Sequence, residues 1–93
     1  MEEKRILRRR MVFTGRVQGV GFRWRASQAA QLYGCTGWVQ NEWDGSVTME
    51  LQGTGDGIDL VLQALRRSRY IQIEQMISRG IPEDPDERGF HTR

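Results

Sequence analysis

The order of hydrophobic and polar positions along this 93-residue chain predicts an alternation of strands and helices. Apolar side chains at every second position indicate a strand most clearly over residues 46–53, and residues 5–14, 37–41 and 70–78 are also predicted to be strands. Spacings of three and four residues indicate helices over residues 22–33 and from Asp56 to Arg67. The order strand, helix, strand, strand, helix, strand is typical of a ferredoxin-like α+β sandwich, in which an antiparallel sheet carries two helices on one face. Residues 89–93 allow at most a short edge strand, so we expect four or five strands.

The same periodicity predicts which side chains form the core. In the helices, the buried stripes are expected to be Phe22, Ala26, Ala29, Ala30 and Tyr33, then Ile58, Val61, Leu62 and Leu65. In the strands, the inward side chains are expected to be Leu7, Met11, Phe13, Val47, Met49, Leu51, Ile71, Ile73 and Ile77. Arg9 interrupts the alternation of the first strand, which leaves its register open. The opposite face of the third strand, with Thr48, Glu50 and Gln52, is predicted to be solvated.

Turn chemistry marks the connections between these elements. Gly34 is placed to end the first helix. The pair Asp44-Gly45 predicts a hairpin turn between the second and third strands. Residues 80–87 contain two prolines and four acidic residues, which predicts an exposed loop.

Composition is typical of one small globular domain over residues 1–93. Hydrophobic residues make up 38% and charged residues 28% of the chain, which fits a folded rather than a disordered sequence. The single cysteine, Cys35, cannot form an internal disulfide, and it has no neighbouring Cys or His with which to hold a metal. No apolar segment resembles a signal peptide or a membrane span. We therefore expect a monomeric cytoplasmic protein with no membrane partner.

Charge is distributed unevenly along the chain. Residues 1–25 hold eight Lys and Arg against two acids, whereas residues 26–93 hold six against ten. A basic segment of this kind steers small anions toward itself. The three consecutive arginines Arg8, Arg9 and Arg10 point to alternate faces of a strand, so they form no single patch for nucleic acid.

The segment GRVQGVGFR, from Gly15 to Arg23, is the strongest candidate for chemistry. Glycines let the backbone adopt positive φ and let a ligand approach the amides, which at a helix start can converge on an anion. The helix dipole disfavours a cation in the first turn, so Arg23 is best explained by an anion between it and the amides. A guanidinium binds a tetrahedral oxyanion through two parallel hydrogen bonds. The segment predicts a pocket for a phosphate-like group, and a purely structural strand-to-helix connection is the alternative.

Two further segments, GWVQN at 37–41 and DGSV at 44–47, complete a resemblance to the acylphosphatase family. The resemblance covers the glycine loop, the first helix, the hairpin and the third strand in the same order. It implies a metal-free hydrolase, without cofactor or phosphoenzyme, that converts an acyl phosphate to a carboxylate and inorganic phosphate. The polar residues of Phe90–Arg93 depart from the family's apolar last strand, and His91 is interpreted as incidental.

The resemblance also implies roles for single residues. Arg23 corresponds to the family's phosphate-binding arginine, and Asn41 corresponds to the asparagine that holds the attacking water. The phosphate cradle corresponds to the backbone amides of Arg16, Val17, Gln18, Gly19 and Val20. A carboxylate leaving group needs no strong general acid, and an amide can orient water without titrating. Turn chemistry alone would also explain an asparagine at position 41.

Two other functions stay open on the sequence. A non-catalytic module could bind phosphate or carbamoyl phosphate for a larger maturation factor, but this sequence lacks the Cys-x-x-Cys zinc motifs expected of one. An RNA-binding sheet would need exposed aromatic side chains on its central strands. The third strand offers only polar side chains there, so we expect no nucleic-acid partner.

Overall fold

A five-stranded sheet and two helices form the frame of the molecule. The computed structural model describes residues 5–93, and the first four residues of the predicted domain lie outside this range. The elements are β1 (Ile6–Arg16), α1 (Phe22–Leu32), β2 (Thr36–Asn41), β3 (Val47–Thr54), α2 (Gly55–Arg66), β4 (Gln72–Ile81) and β5 (Phe90–Thr92). The strand order is β4-β1-β3-β2-β5. The ferredoxin-like class is confirmed with one correction: the sheet is mixed, because β5 runs parallel to β2 while the other pairings are antiparallel.

The core lies between the helices and one face of the sheet, and it contains most of the predicted side chains. Met11 and Phe13 on β1 are fully buried, as are the inward residues of β3. The rings of Phe13 and Phe22 lie 5.0 Å apart between centroids, tilted by 57°. This contact joins β1 to the start of α1, so both ends of the glycine loop are anchored in the core.

Two predicted core positions are wrong. Leu7 is exposed, because it pairs with Gly53 near the start of α2, where glycines offer no side chain to cover it. Ile77 is 61% exposed because β4 contains an extra residue: Thr14 pairs with Gln75, but Gly15 pairs with Ile73. A bulge of this kind reverses the alternation of faces, so the next inward residue is Met76.

The second face of β3 is not solvated as predicted, because the chain after β4 folds across it at Gln52 and the side chain of Glu42 contacts Thr48. Thr48 and Gln52 are buried. The side-chain amide of Gln52 donates to the backbone carbonyl of Asp84 at 2.9 Å and accepts from the Asp84 amide at 2.8 Å. The connection between β4 and β5 is mainly exposed, as predicted, but these bonds fix part of it to the sheet.

Arg8 closes this covered face through two ion pairs. Its guanidinium contacts Glu50 at 2.9 Å and Glu87 at 2.7 Å, and Arg10 contacts the second oxygen of Glu50 at 2.7 Å. Burial by itself would raise the pKa of both carboxyls, but the hydrogen bonds from arginine outweigh it and both pKa values lie below their usual range. Arg8 and Arg10 are therefore paired with carboxylates within the chain.

The second helix begins one residue earlier than predicted. Thr54 is its N-cap, with the hydroxyl accepting from the Gly57 amide at 3.0 Å, and Asp56 lies in the first turn. Among residues 5–93, neither helix is long and apolar enough to cross a bilayer.

Candidate anion site

A cavity of about 360 Å³ lies where the loop between β1 and α1 meets the ends of β2 and β5. Four of the predicted site residues line it: Val17, Gly19, Arg23 and Asn41. Phe22, Trp24 and Thr92 complete most of its wall. The structure thus brings the glycine loop, the candidate arginine and the candidate asparagine to one concave site.

The backbone of loop 16–21 has the conformation that the glycines predicted. Gly19 and Gly21 have φ of +72° and +81°. A Cβ at either position would meet open space, so the requirement for glycine there is conformational rather than steric. Gly21 is the N-cap of α1, and within the described chain no side chain caps this helix and no acid lies in its first turn. The first amides of α1 are therefore open to an anion.

Arg23 is half-buried at the cavity wall. Its Nη1 donates to the backbone carbonyl of Arg93 at 3.1 Å, next to β5. A guanidinium has five N–H donors, so this bond leaves several for an anion in the cavity. The contact also shows that the end of β5 helps to hold the guanidinium.

Asn41 is the last residue of β2, where it pairs with Val47 across the hairpin. The turn behind it is fixed by the Glu42 amide, which donates to the Ser46 carbonyl at 2.8 Å. Asp44 accepts from the hydroxyl of Ser46 at 2.6 Å and from its amide at 3.0 Å, and these bonds lower the pKa of Asp44. The predicted Asp44-Gly45 turn is confirmed, and it presents Asn41 at a defined position.

The remaining three predicted residues do not line the cavity with their side chains. Arg16 ends β1 and is exposed, and Val20 packs against the core. Gln18 points to the hairpin, where its Nε2 donates to the carbonyls of Glu42 at 2.7 Å and Ser46 at 2.9 Å. These bonds tie loop 16–21 to the turn that carries Asn41.

The sequence reasoning missed Trp24 and Thr92. Trp24 follows Arg23 directly and is 68% exposed. Its signal in the sequence is an aromatic residue that lies outside the buried stripe predicted for the first helix. The position of Thr92 depends on β5, and directly after this strand the Arg93 amide donates to the Val39 carbonyl at 2.8 Å. The guanidinium of Arg93 lies 4.2 Å from the ring centroid of Trp38, which further holds this segment against β2.

The donors around the cavity suit a tetrahedral oxyanion. The lining residues supply backbone amides, the guanidinium of Arg23, the side-chain amide of Asn41, the hydroxyl of Thr92 and the indole N–H of Trp24. Within residues 5–93, no group of three or more His, Cys, Asp or Glu side chains is arranged to hold a metal ion.

Comparison with known proteins assigns the chain to a family. The acylphosphatase family model matches residues 9–92. The chain belongs to the acylphosphatase family. Within this family, the acylphosphatase of Bifidobacterium longum is 36% identical over 90 residues, which is 95% of this chain and 93% of the relative. The acylphosphatase of Bordetella parapertussis is 49% identical over 57 residues, so the match spans 61% of that relative's length.

Solved structures show the same fold. The acylphosphatase from Bacillus subtilis superposes with a TM-score of 0.85 at 26% identity, covering 94% of this chain and 98% of that one. Full-length HypF, in a phosphate- and nucleotide-bound form, contains the same fold in 12% of its length, with a TM-score of 0.85 at 24% identity.

Proposed function

We propose that this chain hydrolyses the carboxyl-phosphate bond of acyl phosphates and releases a carboxylate and inorganic phosphate. In this proposal, Arg23 and the amides of residues 16–20 bind the phosphoryl group, and Asn41 orients the attacking water. One observation carries it: in a member of the acylphosphatase family, the glycine loop, Arg23 and Asn41 line one cavity. We also propose that the protein acts as a monomeric cytoplasmic domain without a metal ion.

The phosphoryl group would be held mainly by electrostatics. In phosphoryl transfer, charge builds on the equatorial oxygens, where fixed N–H groups stabilise it without reorganising. The amides of residues 16–20 would supply such groups next to the uncapped start of α1, and Arg23 would supply a charged fork beside them. These groups bind both the substrate and the phosphate product.

The water would be held by the asparagine rather than deprotonated by a base. An amide does not titrate in the working pH range, but it can accept from water and donate to it at a fixed position. Orientation alone contributes several kcal/mol to such a reaction. The leaving carboxylate is weakly basic and can depart without being protonated. The proposal therefore assigns no residue as a general acid.

Phosphate binding gives the first test. Inorganic phosphate should raise the thermal midpoint of unfolding, and the midpoint should rise with the logarithm of phosphate concentration above Kd, because phosphate binds the folded state. The control is chloride at the same ionic strength. A midpoint that phosphate does not move would contradict the proposed cradle.

Two substitutions separate the proposed roles of the side chains. Arg23→Gln should weaken phosphate inhibition by about tenfold or more and also lower turnover, since a charged hydrogen bond contributes about 1.5–3 kcal/mol. Asn41→Ala should keep the phosphate inhibition constant within about twofold but lower turnover by roughly a hundredfold. The matched control is Arg66→Gln, at an exposed cation in the last turn of α2.

The assay is the hydrolysis of benzoyl phosphate followed by absorbance, after circular dichroism has shown that each variant is folded. Activity should persist in a chelator, and its loss there with recovery on added zinc or magnesium would refute metal independence. A folded Asn41→Ala that keeps most of its turnover would refute the water-positioning role. Phosphate binding without any hydrolysis would favour the alternative, a non-catalytic module for phosphate or carbamoyl phosphate.

A further inference from the structure

Trp24 is an unusual residue to find in the lining of an anion site. It lies in the first turn of α1 directly after Arg23, lines the anion cavity and is 68% exposed. Its ring cannot bind a phosphoryl group through hydrogen bonds to several oxygens, because an indole has a single N–H donor. The exposed indole of Trp24 is therefore suited to contact an apolar group of a ligand whose anionic group lies in the cavity.

Trp24 also borders a second depression. This groove, about 430 Å³ in volume, runs along α1 toward Ala64 of α2. Trp24, Gln28 and Leu32 follow one another at intervals of four residues, so they share one stripe of the helix. Leu32, at the far end, is 74% exposed.

The surface of this groove is mainly apolar. Ala29 and Leu32 line it together with the indole of Trp24. The cation in its wall, Arg25, donates from Nη1 to the Ala64 carbonyl at 3.2 Å, so its charge is directed to the backbone. A ligand in the groove would therefore contact mainly apolar side chains.

We propose that Trp24 is the platform for the acyl group of the substrate, and that the preferred substrates carry an aromatic or other apolar acyl group. This inference rests on the proposed function, which places the phosphoryl group in the adjacent cavity. The acyl group is bonded to that phosphoryl group and must leave the cavity past its wall. Trp24 belongs to both depressions, so an apolar acyl group can lie on the indole and extend into the groove.

The kinetic test compares acetyl, benzoyl and hexanoyl phosphate on the wild type, Trp24→Ala and Trp24→Phe. Trp24→Ala should lower kcat/KM for benzoyl and hexanoyl phosphate by about tenfold, mainly through KM, and change it for acetyl phosphate by less than about threefold. Trp24→Phe should recover most of the loss, because it restores an aromatic face. The matched control is Trp43→Ala, since Trp43 is 99% exposed in the hairpin turn.

Binding without catalysis gives a second test. Benzoylphosphonate, which hydrolysis cannot cleave in this way, should shift the Trp24 indole N–H signal in NMR spectra more than acetylphosphonate or inorganic phosphate does. If the wild type hydrolyses no acyl phosphate but this shift occurs, the binding of an acyl group on Trp24 is supported and the proposed enzyme function is wrong.

Three results would overturn the platform itself. One is an equal loss on all three substrates in Trp24→Ala, and another is hydrolysis by the wild type with no selective shift of the indole. The third is a concentration-dependent dimer that Trp24→Ala abolishes, because a second copy of the chain would then occupy the groove.

Discussion

The two hydrogen bonds from Gln18 to the hairpin allow a quantitative test of how the site is held together. Gln18→Ala removes both donors, at 2.7 and 2.9 Å, from the Glu42 and Ser46 carbonyls. Each carbonyl keeps a backbone partner: Ser46 still accepts from the Glu42 amide, and Glu42 still accepts from the Gly45 amide at 3.2 Å. No acceptor is left unpaired, so the cost is the net value of two bonds, about 1–2 kcal/mol in total.

Gln18→Glu is the sharper perturbation. At pH 7 it places a carboxylate against two carbonyl oxygens, where the wild type has a donor. We expect a loss of about 2–4 kcal/mol, since repulsion and a partly buried charge add to the lost bonds. The carbonyls and the partial burial should raise the pKa of the introduced carboxyl above its unfolded value of about 4.3. The loss in free energy of unfolding should therefore become smaller as pH falls through that raised pKa, because the protonated carboxyl can again donate a hydrogen bond.

Urea unfolding followed by tryptophan fluorescence measures these free energies, with circular dichroism as a second probe. For a domain of this size, 1 kcal/mol corresponds to about 4–8 °C in the thermal midpoint. Both variants should also bind phosphate more weakly, since loop 16–21 is no longer tied to the hairpin. The reasoning is refuted if Gln18→Ala unfolds with the wild-type free energy, or if Gln18→Glu is no less stable than Gln18→Ala at pH 7.

Two further outcomes concern groups outside the cavity. Arg8→Met should cost roughly 3 kcal/mol at pH 7, because it leaves Glu87 covered without its arginine and leaves Glu50 with Arg10 alone. The lowered pKa values mean that this pairing stabilises the fold above the usual carboxyl pKa and is lost as pH falls through the folded values, so urea titrations at pH 3 should show a smaller cost. Burial raises the pKa of the Cys35 thiol to about 11, so an aromatic disulfide reagent at pH 8 should label it slowly in the native protein and rapidly in urea. Rapid native labelling would contradict this.

Hydrophobic periodicity predicted the core well where a helix covers the sheet, and it failed where that cover or the alternation stops. Met11 and Phe13 are fully buried, whereas Leu7 lies at the start of α2, where Gly53 and Gly55 have no side chains to cover it. Ile77 was misplaced because the extra residue at the bulge has no hydrophobic signature, although Gly15 is a hint in retrospect.

The residues of the site differ in a similar way. Some are marked by local sequence motifs, and others are placed by contacts between distant segments of the chain. Arg23 and Asn41 could be found from sequence because their neighbours form recognisable motifs, and the structure brings both to one cavity. The bonds of Gln18 depend on how the loop meets the hairpin. The position of Thr92 depends on a parallel pairing between residues 53 apart in the sequence, such as Val39 and Thr92. Neither pairing has a local pattern that sequence periodicity could read.

The strand order has a consequence for the time course of folding. The anion cavity needs the loop after β1, the end of β2 and the edge strand β5, but β2 reaches β1 only through β3. Contacts this distant along the chain close late, after their loop entropy has been overcome. A refolding molecule should therefore regain most of its secondary structure before it binds phosphate. The onset of phosphate binding would then report the time at which β5 pairs with β2.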